Sequence, residues 1–81
     1  MSTFISNNIA VISFCVQNEI YFTSSGGSEK IDYLLNLPCR VCKKIRTLQI
    51  CVTEEEIEIF CWNCQMKFKT FDNMLIKNPL F

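Results

Sequence analysis

The sequence predicts an α+β fold: a small domain in which an N-terminal β-hairpin and a short helix lead into a second hairpin bracketed by cysteine pairs. Three observations point there. The chain has 81 residues, enough for one small domain. A chain of that size buries only about 60–65% of its unfolded surface, so its core calls for help from a disulfide, a metal or a partner. Six residues are cysteine and none is histidine, while 49% are hydrophobic, which excludes a disordered chain.

Taken in order, Ile9 to Val16 is rich in β-branched and aromatic residues and apolar on both faces, as a buried strand would be. Gln17-Asn18 is read as a turn and Glu19 to Ser24 as the second strand, giving an N-terminal hairpin over residues 1–25. Ser24-Ser25-Gly26-Gly27-Ser28 is a loop. Ser28 then caps a short helix with Ile31, Leu34 and Leu35 on one face, which Pro38 ends, so that residues 26–37 are loop and helix. From Ile45 to Val52 the pattern alternates, with Leu48, Ile50 and Val52 on one face. Ile57 and Ile59 alternate with Glu56 and Glu58 in the same way. Glu54, Glu55 and Glu56 mark the solvated tip between these strands. Phe68, Phe71 and Leu75 recur at helical spacing and predict a closing helix in the last segment, residues 70–81.

The chemistry lies in the cysteines. Cys39 and Cys42 form one C-x2-C pair, Cys61 and Cys64 another, with 18 residues between the pairs. That is the spacing of a four-thiolate zinc site. Each pair aims two sulfurs at one point, and a hairpin that brings the pairs together completes a tetrahedron at a Zn–S distance of about 2.3 Å. One structural Zn2+ held by Cys39, Cys42, Cys61 and Cys64 is therefore the expected cofactor. The competing readings are three disulfides, a thioredoxin-like redox pair, which needs a βαβ setting, and an iron–sulfur cluster. Cys15 and Cys51 stand apart and are read as small apolar thiols.

Charge is balanced overall and blocked locally. Eight basic residues offset eight acidic ones, which speaks against a free-standing nucleic-acid binder. Leu37 to Val52 nevertheless carries Arg40, Lys43, Lys44 and Arg46 and no acid, and Thr53 to Phe60 carries four glutamates. Arg40, Lys43, Lys44, Lys67 and Lys69 lie within five residues of a ligand. They are read first as compensation for the net charge of a four-thiolate zinc site. The second reading makes them, with Arg46, contacts for nucleic acid or a partner, with Trp62 or Phe68 as a stacking platform. No enzyme is expected: histidine is absent, a four-cysteine site has no open position, and Gly26-Gly27 lacks the context of a phosphate loop. No Lys or Arg precedes Lys30, and Ile9 to Val16 is too short for a membrane span. It is read as neither signal nor span, which implies a reducing, intracellular setting in cytoplasm or nucleus.

Residues Pro38 to Lys69, 32 of the 81, resemble the zinc-ribbon superfamily. The resemblance implies a zinc-stabilised ribbon of the kind found in RNA polymerase subunits and accessory factors, ribosomal proteins and viral regulatory proteins. Lys43-Lys44 and Gln65-Met66 stand where such knuckles often carry glycine. Two further stretches, Leu34 to Lys44 and Cys61 to Phe68, are similar to the first zinc pair and its closure in the zinc domains of papillomavirus early transforming proteins. Those are adaptors that capture short helical motifs, although their connection between pairs is longer. The function expected on these grounds is a non-catalytic interaction module. It would be an adaptor or small subunit of a larger, viral-type assembly, with a protein partner or a second copy as its ligand and the apolar end Leu80-Phe81 as one contact. The alternative is a transcription-associated factor that touches nucleic acid. No membrane or small-molecule partner is expected.

Overall fold

The computed structural model describes residues 3–75, so Leu80-Phe81 lies outside the described residues. The elements are α1 (Thr3–Gln17), β1 (Phe22–Gly26), β2 (Lys30–Leu35), β3 (Leu48–Thr53), β4 (Ile57–Cys61), β5 (Lys67–Phe68) and α2 (Phe71–Met74). The strands form one antiparallel sheet in the order β1-β2-β3-β4-β5. Alternation dictates its two faces. Tyr33 and Leu35 from β2, Leu48, Ile50 and Val52 from β3, and Ile59 and Cys61 from β4 are buried on one of them, with Val11 and Cys15 of α1 and Met74 of α2. Each fully buried aliphatic side chain of this set contributes about 1.5–3 kcal/mol. The Tyr33 hydroxyl donates to Asn8 Oδ1 at 2.6 Å, and Asn7 Nδ2 donates to the Thr53 carbonyl at 3.2 Å. These bonds fix α1 across β2 and β3.

The α+β class and the central hairpin match the sequence reading, including the exposed glutamates at its tip. There the Thr53 N–H donates to the Glu56 carbonyl at 3.0 Å. The N-terminal half differs. Residues Ile9 to Val16 are helix, not strand, so there is no N-terminal hairpin over 1–25. A run that is apolar on every side fits a buried strand and a helix equally well. What decides is that Phe4, Asn8, Val11 and Cys15 recur at i, i+4, i+7 and i+11, the face α1 lays on the sheet. The helix ends in a Schellman arrangement: the Ile20 N–H donates to the Cys15 carbonyl at 2.8 Å and the Glu19 N–H to the Val16 carbonyl at 3.2 Å. Glu19 takes the left-handed position, at φ 55°.

The short helix expected within 26–37 is β2. Ile31, Leu34 and Leu35 match a helical period, but Ile31, Tyr33 and Leu35 match a period of two, and those are the residues turned toward the core. The strand expected at Glu19 to Ser24 begins at Phe22 and pairs with β2, with Phe22 opposite Leu35 and Gly26 opposite Ile31. The Ser-Gly stretch is the turn of that hairpin, closed by the Gly27 N–H on the Lys30 carbonyl at 3.0 Å. At the other end Phe68 belongs to β5, and the closing helix is the single turn of α2, capped by Thr70 Oγ1, which accepts from the Asn73 N–H at 3.2 Å.

Candidate metal centre

The β3–β4 hairpin positions the four cysteines. Pairing of Leu48 with Cys61 places the start of β3 beside the end of β4. The segment before β3, closed by a bridge between Pro38 and Ile45, therefore faces the turn after β4. Each segment bends into the same knuckle. In the first, the Lys43 N–H donates to the Cys39 carbonyl at 2.8 Å and the Cys39 N–H to the Lys44 carbonyl at 3.1 Å. In the second, the Gln65 N–H donates to the Cys61 carbonyl at 2.7 Å and the Cys61 N–H to the Met66 carbonyl at 2.9 Å. Lys43 and Gln65 hold left-handed φ values of 68° and 63°. Glycine adopts this conformation without strain, and here longer side chains accept it.

The four sulfurs of Cys39, Cys42, Cys61 and Cys64 lie within 4.8 Å of one another. Cys39 Sγ is 3.8 Å from Cys64 Sγ, and Cys42 Sγ is 3.7 Å from Cys61 Sγ. A tetrahedron with Zn–S of about 2.3 Å has sulfur–sulfur edges of about 3.8 Å, so the donor set fits a single metal ion at its centre. Cys39 and Cys61 are buried, and Cys42 and Cys64 are half-buried.

Neighbouring donors tune the sulfurs. Asn63 Nδ2 donates to Cys42 Sγ at 3.4 Å, and with the Lys44 N–H it holds the Cys42 thiol below its ordinary value. Burial pushes the Cys61 thiol up, but bonds with Thr47, the Cys64 N–H and side chain, and the Asn63 N–H outweigh it and bring the value down to about 6. At Cys64 the Met66 N–H acts downward. Burial and the sulfurs of Cys61, Cys39 and Cys42 prevail, and its value is pushed up to about 11. Sulfurs this close do not all ionise without a cation between them, and a divalent metal supplies that charge. Thr47 is buried beside Cys61 at 3.1 Å and donates to the Lys44 carbonyl at 3.2 Å, joining the two knuckles. Sequence reasoning missed Thr47 and Asn63. Asn63 lies inside the second C-x2-C, where a short amide readily bonds nearby groups. Thr47 carries no local signal, because only the hairpin register brings it to the sulfur.

The basic residues are divided. Arg40, Lys67 and Lys69 line one open groove of about 310 Å3 with Val41, Met66, Phe68 and Asn73. Within it Arg40 Nη1 donates to the Asn73 carbonyl at 2.9 Å, and Lys67 Nζ pairs with Glu58 at 3.5 Å. Lys43 and Lys44 are exposed on the first knuckle. Arg46 lies elsewhere, 3.4 Å from Asn36 Oδ1 in a cleft with Tyr21 and Leu34. Trp62, half exposed, lines a separate cleft with Asp32, Leu34 and Gln49 and is not among the residues lining the groove. Cys15 is buried in the core and Cys51 is half-buried between Asp32 and Glu58 on the outer face.

No helix among the described residues is long and apolar enough to cross a membrane. Comparison of the chain with known protein families, with curated proteins and with solved structures returns no match in any of the three.

Proposed function

We propose that this chain is a zinc-binding, non-catalytic interaction module, an adaptor or small subunit of a larger protein assembly of the zinc-ribbon kind, working in a reducing compartment. The single observation that carries this reading is the closed set of four sulfurs at tetrahedral spacing. Four thiolates satisfy Zn2+ completely and leave no position for water or substrate, so the metal shapes a surface and does no chemistry. Zero net charge favours protein over nucleic acid as the ligand of that surface.

A second reading, a transcription-associated factor that contacts nucleic acid, draws support from the groove of Arg40, Lys67 and Lys69 over Val41, Met66 and Phe68. Two of those three cations already have partners within the chain, and Trp62 is not beside them to stack a base. One experiment compares the two readings. Zinc-loaded protein is passed over single-stranded DNA and heparin at about 50 mM salt, where phosphate contacts are strong. The same protein is used for affinity capture from nuclease-treated host extract. The interaction-module reading predicts flow-through on both columns and nuclease-resistant capture of protein. Retention on DNA with capture lost after nuclease would overturn it in favour of the second.

A further inference from the structure

The sheet has two edges, built differently. β5 is two residues long, carries Lys67 and leads into α2, and short, charged strands blunt an edge. β1, the other edge, runs from Phe22 to Gly26 with no charge and no proline in its five residues. Antiparallel strands bond to a neighbour at every second residue. The Asn36 N–H donates to the Tyr21 carbonyl at 2.8 Å, and the Gly27 N–H donates to the Lys30 carbonyl at 3.0 Å. These two bonds set the phase: Thr23 and Ser25 bond toward β2, while Phe22, Ser24 and Gly26 turn their N–H and C=O groups outward. No backbone group among the described residues bonds to that outward row. Donors and acceptors at this spacing are matched by extended backbone.

The surroundings of the edge select the side chains of that backbone. Phe22 lines an open cleft of about 350 Å3 with Val16, Ile20 and Tyr21. Thr23 lines another with Arg46, and Ser25 a third with Asp32. Residues directly opposite each other in a sheet share a face. An antiparallel strand along β1 is therefore matched by a large apolar residue opposite Phe22, an acid opposite Thr23 and a base opposite Ser25. A second copy of β1 does not meet that demand. The antiparallel register that pairs all three of its outward-facing residues sets Gly26 of the partner subunit opposite Phe22, which leaves the cleft unfilled. β1 also has no charge to offer Arg46 or Asp32.

We propose that β1 takes an extended segment of a partner protein as a sixth, antiparallel strand, with the pattern base, any residue, acid, large apolar from N to C terminus. This rests on the interaction-module reading and names its docking edge and the chemistry of its partner. Main-chain bonds at Phe22 and Ser24 hold the strand, and the alternate side chains choose among partners.

The probe is a dye-labelled peptide, Thr-Lys-Thr-Glu-Leu-Thr, titrated into the zinc-loaded full chain from micromolar to millimolar concentration. Fluorescence anisotropy reads binding, and amide hydrogen exchange reads where the peptide lies. The expected result is saturable binding with exchange slowed at the Phe22 and Ser24 N–H. Methylation of the peptide's leucine nitrogen keeps every side chain but removes one bond to Phe22, and should weaken binding about two- to tenfold. Interchange of the lysine and glutamate should weaken it as well. Ser24→Pro deletes a donor that the sheet does not use, so it should keep the zinc content and far-UV spectrum and lose the peptide. Should that variant not fold, the methylated peptide on the wild-type chain answers the same question. Absence of saturable binding overturns the proposal, as does equal binding of the methylated or the charge-interchanged peptide. Slow exchange at Phe22 and Ser24 in the peptide-free monomer assigns the edge to residues 76–81 of the chain itself. Slow exchange that grows with protein concentration assigns it to a second copy, and either result overturns the proposal. All of these outcomes leave the interaction-module reading to its own test, the DNA and capture comparison.

Discussion

Asn63 and Thr47 show how much of a four-sulfur centre depends on residues that are not ligands. The Asn63 amide donates to Cys42 Sγ and the Thr47 hydroxyl accepts from Cys61 Sγ, so each knuckle has a sulfur held by a side chain that is not a ligand. Removal of such a partner typically weakens metal binding by about ten- to hundredfold. Asn63→Ala should therefore lose zinc affinity by about tenfold or more in competition with a chromophoric chelator, with the far-UV spectrum of the loaded form unchanged. Unaltered affinity would remove Asn63 from the site. Cys15 tells a different story at the same scale. Burial pushes its thiol above the ordinary value of 9.0. Burial, and then the charge on Cys15, push Tyr33 above 10.0. In both cases the folded chain holds the neutral form and the unfolded chain releases the proton first. Their contribution to stability is present below the ordinary values and is lost as pH rises through the higher folded ones. The melting temperature of the zinc-loaded protein should accordingly fall as pH rises above 9, and Cys15→Ala should flatten that fall. An equal slope in the variant would show that Cys15 does not contribute.

Among the elements, the cysteine-bearing hairpin was the most legible and α1 the least, for physical reasons. Leu48, Ile50 and Val52 alternate strictly, and the cysteine pairs bracket them at the spacing of a four-cysteine metal site, which a hairpin satisfies, so two independent patterns agree. Ile9 to Val16 has no such constraint. Its outer stripe is as apolar as its inner one, which erases the amphipathic signature of a helix. Asn7 and Asn8 mark the sheet side through bonds to the Thr53 carbonyl and from the Tyr33 hydroxyl, and those two bonds are tertiary. β2 was hidden because Leu34, on the outer face, is as apolar as Leu35. The Gly26-Gly27 turn was visible, but the two glycines are not equivalent. Gly26 has φ 137°, and a Cβ there would run into the Lys30 carbonyl, whereas a Cβ on Gly27 meets nothing within 4 Å. Gly26→Ala should cost roughly 1–3 kcal/mol in chemical denaturation of the loaded protein, with Gly27→Ala close to neutral. Equal effects would mean that the turn is not built as described.

For the whole molecule, the four-cysteine site joins what the sheet alone leaves loosely connected. It ties the segment before β3 to the turn after β4, and Arg40 extends the link to α2 through the Asn73 carbonyl. Small domains have a net stability of about 5–15 kcal/mol, and structural zinc binds four thiolates with about 10–16 kcal/mol. A zinc ion held by the four cysteines would thus supply a term as large as the entire margin. The most direct measurement is far-UV circular dichroism of the purified chain under chelation, with zinc content determined on the same sample. The account predicts that removal of one zinc per chain abolishes the folded spectrum and that one equivalent of Zn2+ restores it. A folded spectrum that persists in protein shown to be free of metal would contradict it.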